Sequence, residues 1–474
     1  MKKLIFISIL IIPTILADLI TISDEPGLQD AIWSIESGDT VFIENGDYHL
    51  TNFLGITGGV SNVAVIGESR DGVQIIGPGM ANEDYGDVWH LFAIMNARYV
   101  YLADMTLREV YYHPIIVQSE NGAWAPHFEN LHIIDAGEQF IKVTAAAPPT
   151  TYCDSGIVEN CHFEFTDRAR HWYTNGVDIL ATEGWIIRNN LFERIRGPIG
   201  ILAGPTILAW QNSIGTIVEG NVMIECDIGI SMGNSGGPGD IAREGETVYD
   251  NQNPIVRNNF FYREGDGDVG ITLNRCRNGK VYNNTVIQNG TFPWNIEYRF
   301  TETDCEIYCN LTDGPVFLRD GASGDVSGNI DYAELSWFSD ASSGDLHILD
   351  ATPPVDAGFT IAEVPYDIDG QSRPWGELPD VGADEYSLET EIEENVSNKK
   401  KILQIYPNPA SDYLIIDSEA IIQGEVSIYG IDGELVLKQR INRKILLPEN
   451  LKNGLFIIEI SYEDEKIVKK LCKY

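Results

Sequence analysis

Positive charge is scarce in this chain: 32 Lys and Arg stand against 71 Asp and Glu, a formal net charge of −39. Phosphate backbones and anionic lipid surfaces repel so acidic a body, so nucleic acid and charged membranes drop out as partners. The deficit is uneven. Residues 402–474 hold nine Lys and Arg against eleven Asp and Glu, so nearly all the acidity lies upstream. Long apolar runs are also missing. The one candidate, Leu4 to Ile12, follows Lys2 and Lys3 and precedes Ala17, the pattern of a secretory signal over residues 1–17. It is too short to span a bilayer, and no other stretch is longer, so no transmembrane segment is expected. No Cys sits near the cleavage point to take a lipid anchor. Cysteine is sparse, seven in 474 residues, odd in number and without metal-type spacing. A disulfide framework is therefore excluded. Cys161 and Cys226 read as buried thiols, while Cys153 with Cys161 and Cys305 with Cys309 are possible local disulfides.

What the chain has in abundance is a recurring pattern of Asn followed by a short apolar strand. It occurs at Asn130, Asn160, Asn189, Asn221, Asn258 and Asn283, in steps of 30, 29, 32, 37 and 25 residues. A period of this size marks a solenoid, in which each unit buries its apolar edge only by stacking on the next. The units are too rich in Gly and Asn, and too poor in long apolar runs, for helix pairs. They read as coils of a parallel β-helix, with Asn amides bonding to one another across rungs about 4.8 Å apart. Insertions are expected over 232–253 and near 145–156.

Residues 28–36, with Leu28, Ala31, Ile32 and Ile35 on one face, read as a short amphipathic helix. After it comes the run from Ser37 to Tyr48, SGDTVFIENGDY. Helix and run together resemble the N-terminal entry of secreted right-handed β-helix proteins of the pectin-lyase-like class. The helix would plug the open end of the stack. Asp367-Ile368-Asp369-Gly370 with Arg373-Pro374, then Asp380-Val381-Gly382-Ala383-Asp384-Glu385, resembles the closing segment of exported bacterial β-helix proteins. A Ca²⁺ reading of Asp367 and Asp369 is weaker, because the EF-hand spacing is absent. Residues 389–401 form a charged linker. Beyond it the run from Tyr406 to Leu414, the strand and Asp432-Gly433 turn, and Asn453 to Ile460 resemble the C-terminal sorting domain of the type IX secretion system. That resemblance implies the secretion machinery as a partner and a destination beyond an outer membrane, secreted or at the cell surface.

The expected fold is all-β. It is a right-handed parallel β-helix over 18–345 with an N-terminal helical cap, a closing segment over 346–388, and a small β-sandwich over 402–474. Stacking the coils gives outward columns. One reads Lys142, Asp178, Leu202, Ser231, Thr272, Glu297, Phe317, and the next Thr144, Leu180, Gly204, Gly233, Asn274, Arg299, Arg319. A slip of one residue would turn every side chain inward. Lys142 and Asp178, one rung apart, are either a base or charge-stabilising pair or a plain salt bridge, and His171 lies in the loop feeding the Asp178 strand. Arg168, Arg170, Arg188, Arg194 and Arg196 form the best local basic patch; Arg168 and Arg170 from it, Asn274, Glu297 and Arg299 at the other end, and Trp210 are candidates for sugar binding. Glu164, Glu193 and Glu225 form a third column. It suits Ca²⁺, a glycosidase carboxylate pair, or simply three solvated carboxylates. The run from Asn130 to Lys142 resembles a strand of chondroitinase-B-like and alginate lyases. There an Asn, a Gly-Glu pair and a catalytic Lys occur in that order. In this chain the second acidic residue is absent and the Lys comes earlier.

These readings point to an exported, monomeric protein acting on a polysaccharide, with a lyase on an acidic, uronate-containing glycan preferred and Ca²⁺ as its one candidate cofactor. The alternatives are a non-catalytic surface glycan-binding protein, adhesin or structural β-helix, and a glycoside hydrolase.

Overall fold

The computed structural model describes residues 18–387 and, beyond them, 404–406, 413–417, 424–430, 435–440, 444–448, 451, 454–462 and 465–473. The expected signal peptide and charged linker, much of the YPNPASDYL run and the Asp432-Gly433 turn lie outside the described residues. The chain divides into two compact units, one built chiefly on residues 41–393 and one on residues 394–474.

The larger unit is a right-handed parallel β-helix. Three parallel sheets of twelve, ten and ten strands run its length, and each coil contributes one short strand to each sheet. The strands are three to five residues long over most of the stack, since the chain must turn three times per coil. Their inward positions fill the core. In the sheet that carries Lys142, Ile141, Val177, Ile207, Ile230, Ile271 and Ile296 sit on successive rungs and are buried. In the neighbouring sheet Phe163 and Phe192 stack at 4.6 Å. The helix is Glu25–Trp33, capped by Asp24, whose carboxylate accepts from the Gly27 amide at 2.8 Å. It buries Leu28, Ala31 and Ile32. Ile35 is also buried but lies past the helix end.

The asparagine ladder exists, one residue away from most of the expected positions. Its members are Asn190, Asn221, Asn259, Asn284, Asn310 and Asn329. Each side-chain amide donates to the next carbonyl oxygen at 2.9 Å. Asn130, Asn160, Asn189, Asn258 and Asn283 instead hold the left-handed backbone at the corner, with φ between 48° and 56°. Asn tolerates that region better than other non-Gly residues, and Gly220 fills the same place before Asn221.

The parallel rungs end at Ser323–Ser327, after which Phe338–Asp340 and Asp345–Ile348 pair antiparallel. The closing segment is tied by a buried ion pair. Arg373 donates to Glu385 at 2.6 Å and to the Gly382 carbonyl at 2.8 Å. The Asp367 carboxylate accepts from the Asp369, Gln371 and Glu385 amides, the work of a turn brace.

In the smaller unit a three-stranded and a four-stranded antiparallel sheet share a core of Leu414, Val426, Ile428, Ile445, Phe456, Ile458 and Ile460. The six described cysteines are all free and buried. The two expected local disulfides are absent for a geometric reason. Cys305 lies within the strand Asp304–Tyr308 and Cys309 just past its end, about 13 Å along it, and Cys153 and Cys161 flank the strand Ile157–Glu159.

Candidate functional site

Register pairs Ile116 with Lys142, Lys142 with Asp178, Asp178 with Leu208, and so on through Ser231, Thr272 and Glu297 to Phe317. Two expected members of the outward columns are corrected. Leu208, not Leu202, follows Asp178, and Trp210, not Gly204, follows Leu180. Ile201 and Leu202 lie in an exposed loop, and the strand begins only after Gly204-Pro205, at Ile207.

Lys142 and Asp178 form a direct ion pair on the outer face, yet their side chains are only 7% and 2% exposed. The second oxygen of Asp178 accepts from the Trp210 indole at 2.8 Å, and the Tyr173 ring lies 5.8 Å from the ammonium. Burial opposes the Lys142 charge, but Asp178 and then Tyr173 outweigh it and raise the pKa of the ammonium. The direct pair with Asp178 favours the ammonium form, which suits charge stabilisation more than proton abstraction.

Beside this pair lies a second cluster, in which Arg170 and His171 were expected and His113 and Glu138 were given no role. Glu138 stands 3.6 Å from His113, 3.7 Å from His171 and 3.8 Å from Arg170. Burial raises the Glu138 pKa against the opposing charges of Arg170 and Lys142. His113 is buried, stacks on His90 at 5.1 Å, and contacts the Gln139 carbonyl through Nδ1 at 3.1 Å. A carbonyl only accepts, so Nδ1 donates and Nε2 carries the lone pair of the neutral ring. Burial, then the charges of His90 and Lys142, hold His113 well below the usual histidine range. Burial and then Arg170 lower His171. Arg170 covers the Tyr111 ring at 3.7 Å and donates to the Tyr111 and Gly137 carbonyls. Arg168 donates to the Gly197 carbonyl and so ties one loop to another. Trp172 is 62% exposed, and Trp89 and Tyr173 also present their rings to solvent. Glu138 is the acidic residue of the Gly-Glu pair in the run from Asn130 to Lys142, while only the coil register brings His113 to it.

The other end of the column does not join this site. Asp178 and Glu297 are four rungs apart, about 19 Å. Glu297 is saturated: it accepts from Thr272 at 3.1 Å, Trp294 at 2.9 Å and Arg319 at 2.7 Å. Arg299 pairs with Asp320 at 2.9 Å, and Asn274 donates to Ser231 and the Gly233 carbonyl. These groups brace the sheet. A groove of about 680 Å³ of mixed lining lies on another face, walled by Arg188, Glu219, Arg257, Val364, Tyr366 and Asp369 among others.

The expected carboxylate column is also corrected. Glu164 and Glu193 pair in register, but the next rung places Ile224 there, and Glu225 turns away in the left-handed region to pair with Arg196 at 2.9 Å. His132 meets Glu164 at 2.9 Å, His162 meets Glu193 at 2.7 Å, and Arg194 contacts both carboxylates. Ca²⁺ wants six to eight oxygens, and two carboxylates already engaged by imidazole and guanidinium do not provide them. This donor set does not fit Ca²⁺. The Arg cluster is likewise spoken for, Arg188 by Glu159 at 2.7 Å and Arg196 by Glu225 and Asp227.

Residues 404–474 match the secretion system C-terminal sorting domain. The chain carries a type IX sorting domain. That domain directs export to the cell surface or exterior, and among the described residues no helix is long and apolar enough to cross a membrane. No curated protein matches the chain. Among solved structures it is similar to pectate lyase Pel9A, with 10% identity, a TM-score of 0.46, and coverage of 79% of this chain and 98% of that one. It is also similar to endopolygalacturonase I from Stereum purpureum, with 9% identity, a TM-score of 0.42, and coverage of 66% and 100%. A third is an alginate lyase from Paenibacillus sp. str. FPU-7, with 12% identity, a TM-score of 0.36, and coverage of 65% and 97%. Identities this low transfer no residue roles.

Proposed function

We propose that the chain is an exported, monomeric, polysaccharide-active enzyme that cleaves a uronate-containing glycan by β-elimination on the outer face of the Lys142 sheet. The observation behind this reading is the convergence of an ammonium, a guanidinium, a neutral histidine and a carboxyl of raised pKa beside exposed aromatic rings. Lys142 and Arg170 offset the uronate carboxylate as negative charge builds in the transition state. His113 Nε2 takes the proton α to that carboxylate. The electron pair forms the ring double bond, the glycosidic C–O bond at the β carbon breaks, and Glu138 in its acid form returns a proton to the leaving oxygen. His171 and Asp178 position Glu138 and Lys142. Trp172 and Tyr173 stack on the sugar rings. No step requires a metal.

One observation favours the non-catalytic alternative, a surface glycan-binding protein: the Lys142–Asp178 pair is almost closed to solvent. The test is ultraviolet absorbance of unsaturated product from a panel of uronate polysaccharides, with the full mature protein and its His113→Gln variant, beside a binding assay on the same panel. Unsaturated product lost in the variant with binding kept supports the lyase. Binding with no product from the wild type supports the binding protein, and reducing ends without unsaturation would mean a glycosidase.

A further inference from the structure

On the sheet adjoining the Lys142 sheet, two histidines occupy the same outward position of consecutive rungs. His132 pairs with His162 in register, and the rings stack face to face at 4.5 Å, within 4° of parallel. Two residues along, Glu164 and Glu193 occupy the next outward position of their rungs. Each imidazole reaches diagonally to the carboxylate one rung on, through Nε2 in both cases. The atoms of His132, His162 and Glu164 all lie within 4.8 Å of one another. Two ligands about 2.1 Å from a tetrahedral ion stand about 3.4 Å apart. The three atoms thus need shifts of about an ångström to close on one centre.

The surrounding charges suit a dication. Arg194 takes one oxygen of each carboxylate, at 2.5 Å for Glu164 and 3.3 Å for Glu193, and leaves the other oxygen facing an imidazole. Metal-ligating carboxylates are held in this way by groups behind them. With both histidines neutral the set carries two negative charges and one positive. Mixed imidazole and carboxylate donors select zinc-like ions over Ca²⁺ and Mg²⁺.

We propose that His132, His162 and Glu164 form a binding site for Zn²⁺ or a similar borderline divalent ion, with its fourth position open to water. On binding, each ring moves its proton from Nε2 to Nδ1, and Nε2 coordinates. The site lies on a different sheet from Lys142 and does not depend on the proposed lyase chemistry.

The test is titration of chelator-treated, full mature protein with Zn²⁺ against a chromophoric competitor, then with Co²⁺, whose visible bands report tetrahedral nitrogen and oxygen ligands. Among the described residues two other His–carboxylate groups, around His127 and His347, make stoichiometry the informative quantity. The His132→Gln/His162→Gln protein should bind one equivalent fewer than wild type, while excess Ca²⁺ should not compete. Unchanged stoichiometry in a folded double variant overturns the site. Should the variant misfold, imidazole ¹⁵N shifts of the wild type decide. Movement of both His132 and His162 Nε2 signals with one equivalent of Zn²⁺ supports the site, and no movement overturns it.

Discussion

At the scale of single residues, Lys142 and Asp178 carry the sharpest energetic prediction. Removing one partner of a buried pair strands the other charge, at about 3–5 kcal/mol. Asp178→Asn should therefore lower unfolding stability by that order in denaturant melts. Lys142→Met combined with Asp178→Leu should cost much less, because no charge is left behind. Both changes should abolish unsaturated product if the ammonium serves the chemistry. The pair itself was legible in the sequence, since Ile141 and Val177 fixed the strand phase and the next residue had to face out. Its burial was not legible, because the loop bringing Tyr173 and the Trp210 indole have no spacing signal. His113 was missed for the same reason, since it sits in a turn one coil before Lys142, and Glu138 stood in the quoted run from Asn130 to Lys142 without a role.

At the scale of elements, the ladder and the closing segment make separate predictions. Asn259 donates to Asn284 and accepts from Asn221, so Asn259→Leu orphans groups on two rungs at once. Each orphaned buried group costs about 1–3 kcal/mol. Asn329→Leu, at the ladder's end, should cost less in the same melts, because one neighbour is affected. In the closing segment, bonding to Asp369 and then Asp345, against burial, raises His347 to about 9. Its raised pKa gives stability that is full below the unfolded value near 6.5 and lost as pH rises through about 9. Burial raises Asp384 to about 7 and Asp380 to about 6, and ionising them costs stability over the same upward direction. The melting temperature should fall between pH 6 and pH 9, and His347→Gln should flatten that dependence. Elements were legible in kind more than in phase. The run ILAGPTILAW offers Ile201 and Ile207 as equivalent strand starts, and only the Gly-Pro break between them favours the second. In the same way Asn-Asn pairs offer two candidates for one ladder place, and the first of each pair goes to the corner.

At the scale of the whole molecule, the solenoid and the sorting domain were both legible: the first because its period is written by turn residues, the second because its strands come with ordered motifs. Deleting residues 404–474 should retain the protein inside the outer membrane, measured by cell fractionation. Restored surface display without that segment would contradict its role as an address.

The buried thiols have a consequence for the life of the chain on its way out. An exported protein passes through oxidising surroundings. Here every described cysteine is shut inside the coils, with burial pushing Cys161 up to about 12 and Cys226 to about 11. A thiol so reluctant to ionise is inert once enclosed. Maturation is then a race between coiling and oxidation, in which a slow or stalled chain risks crosslinks that the finished rungs have no room to hold.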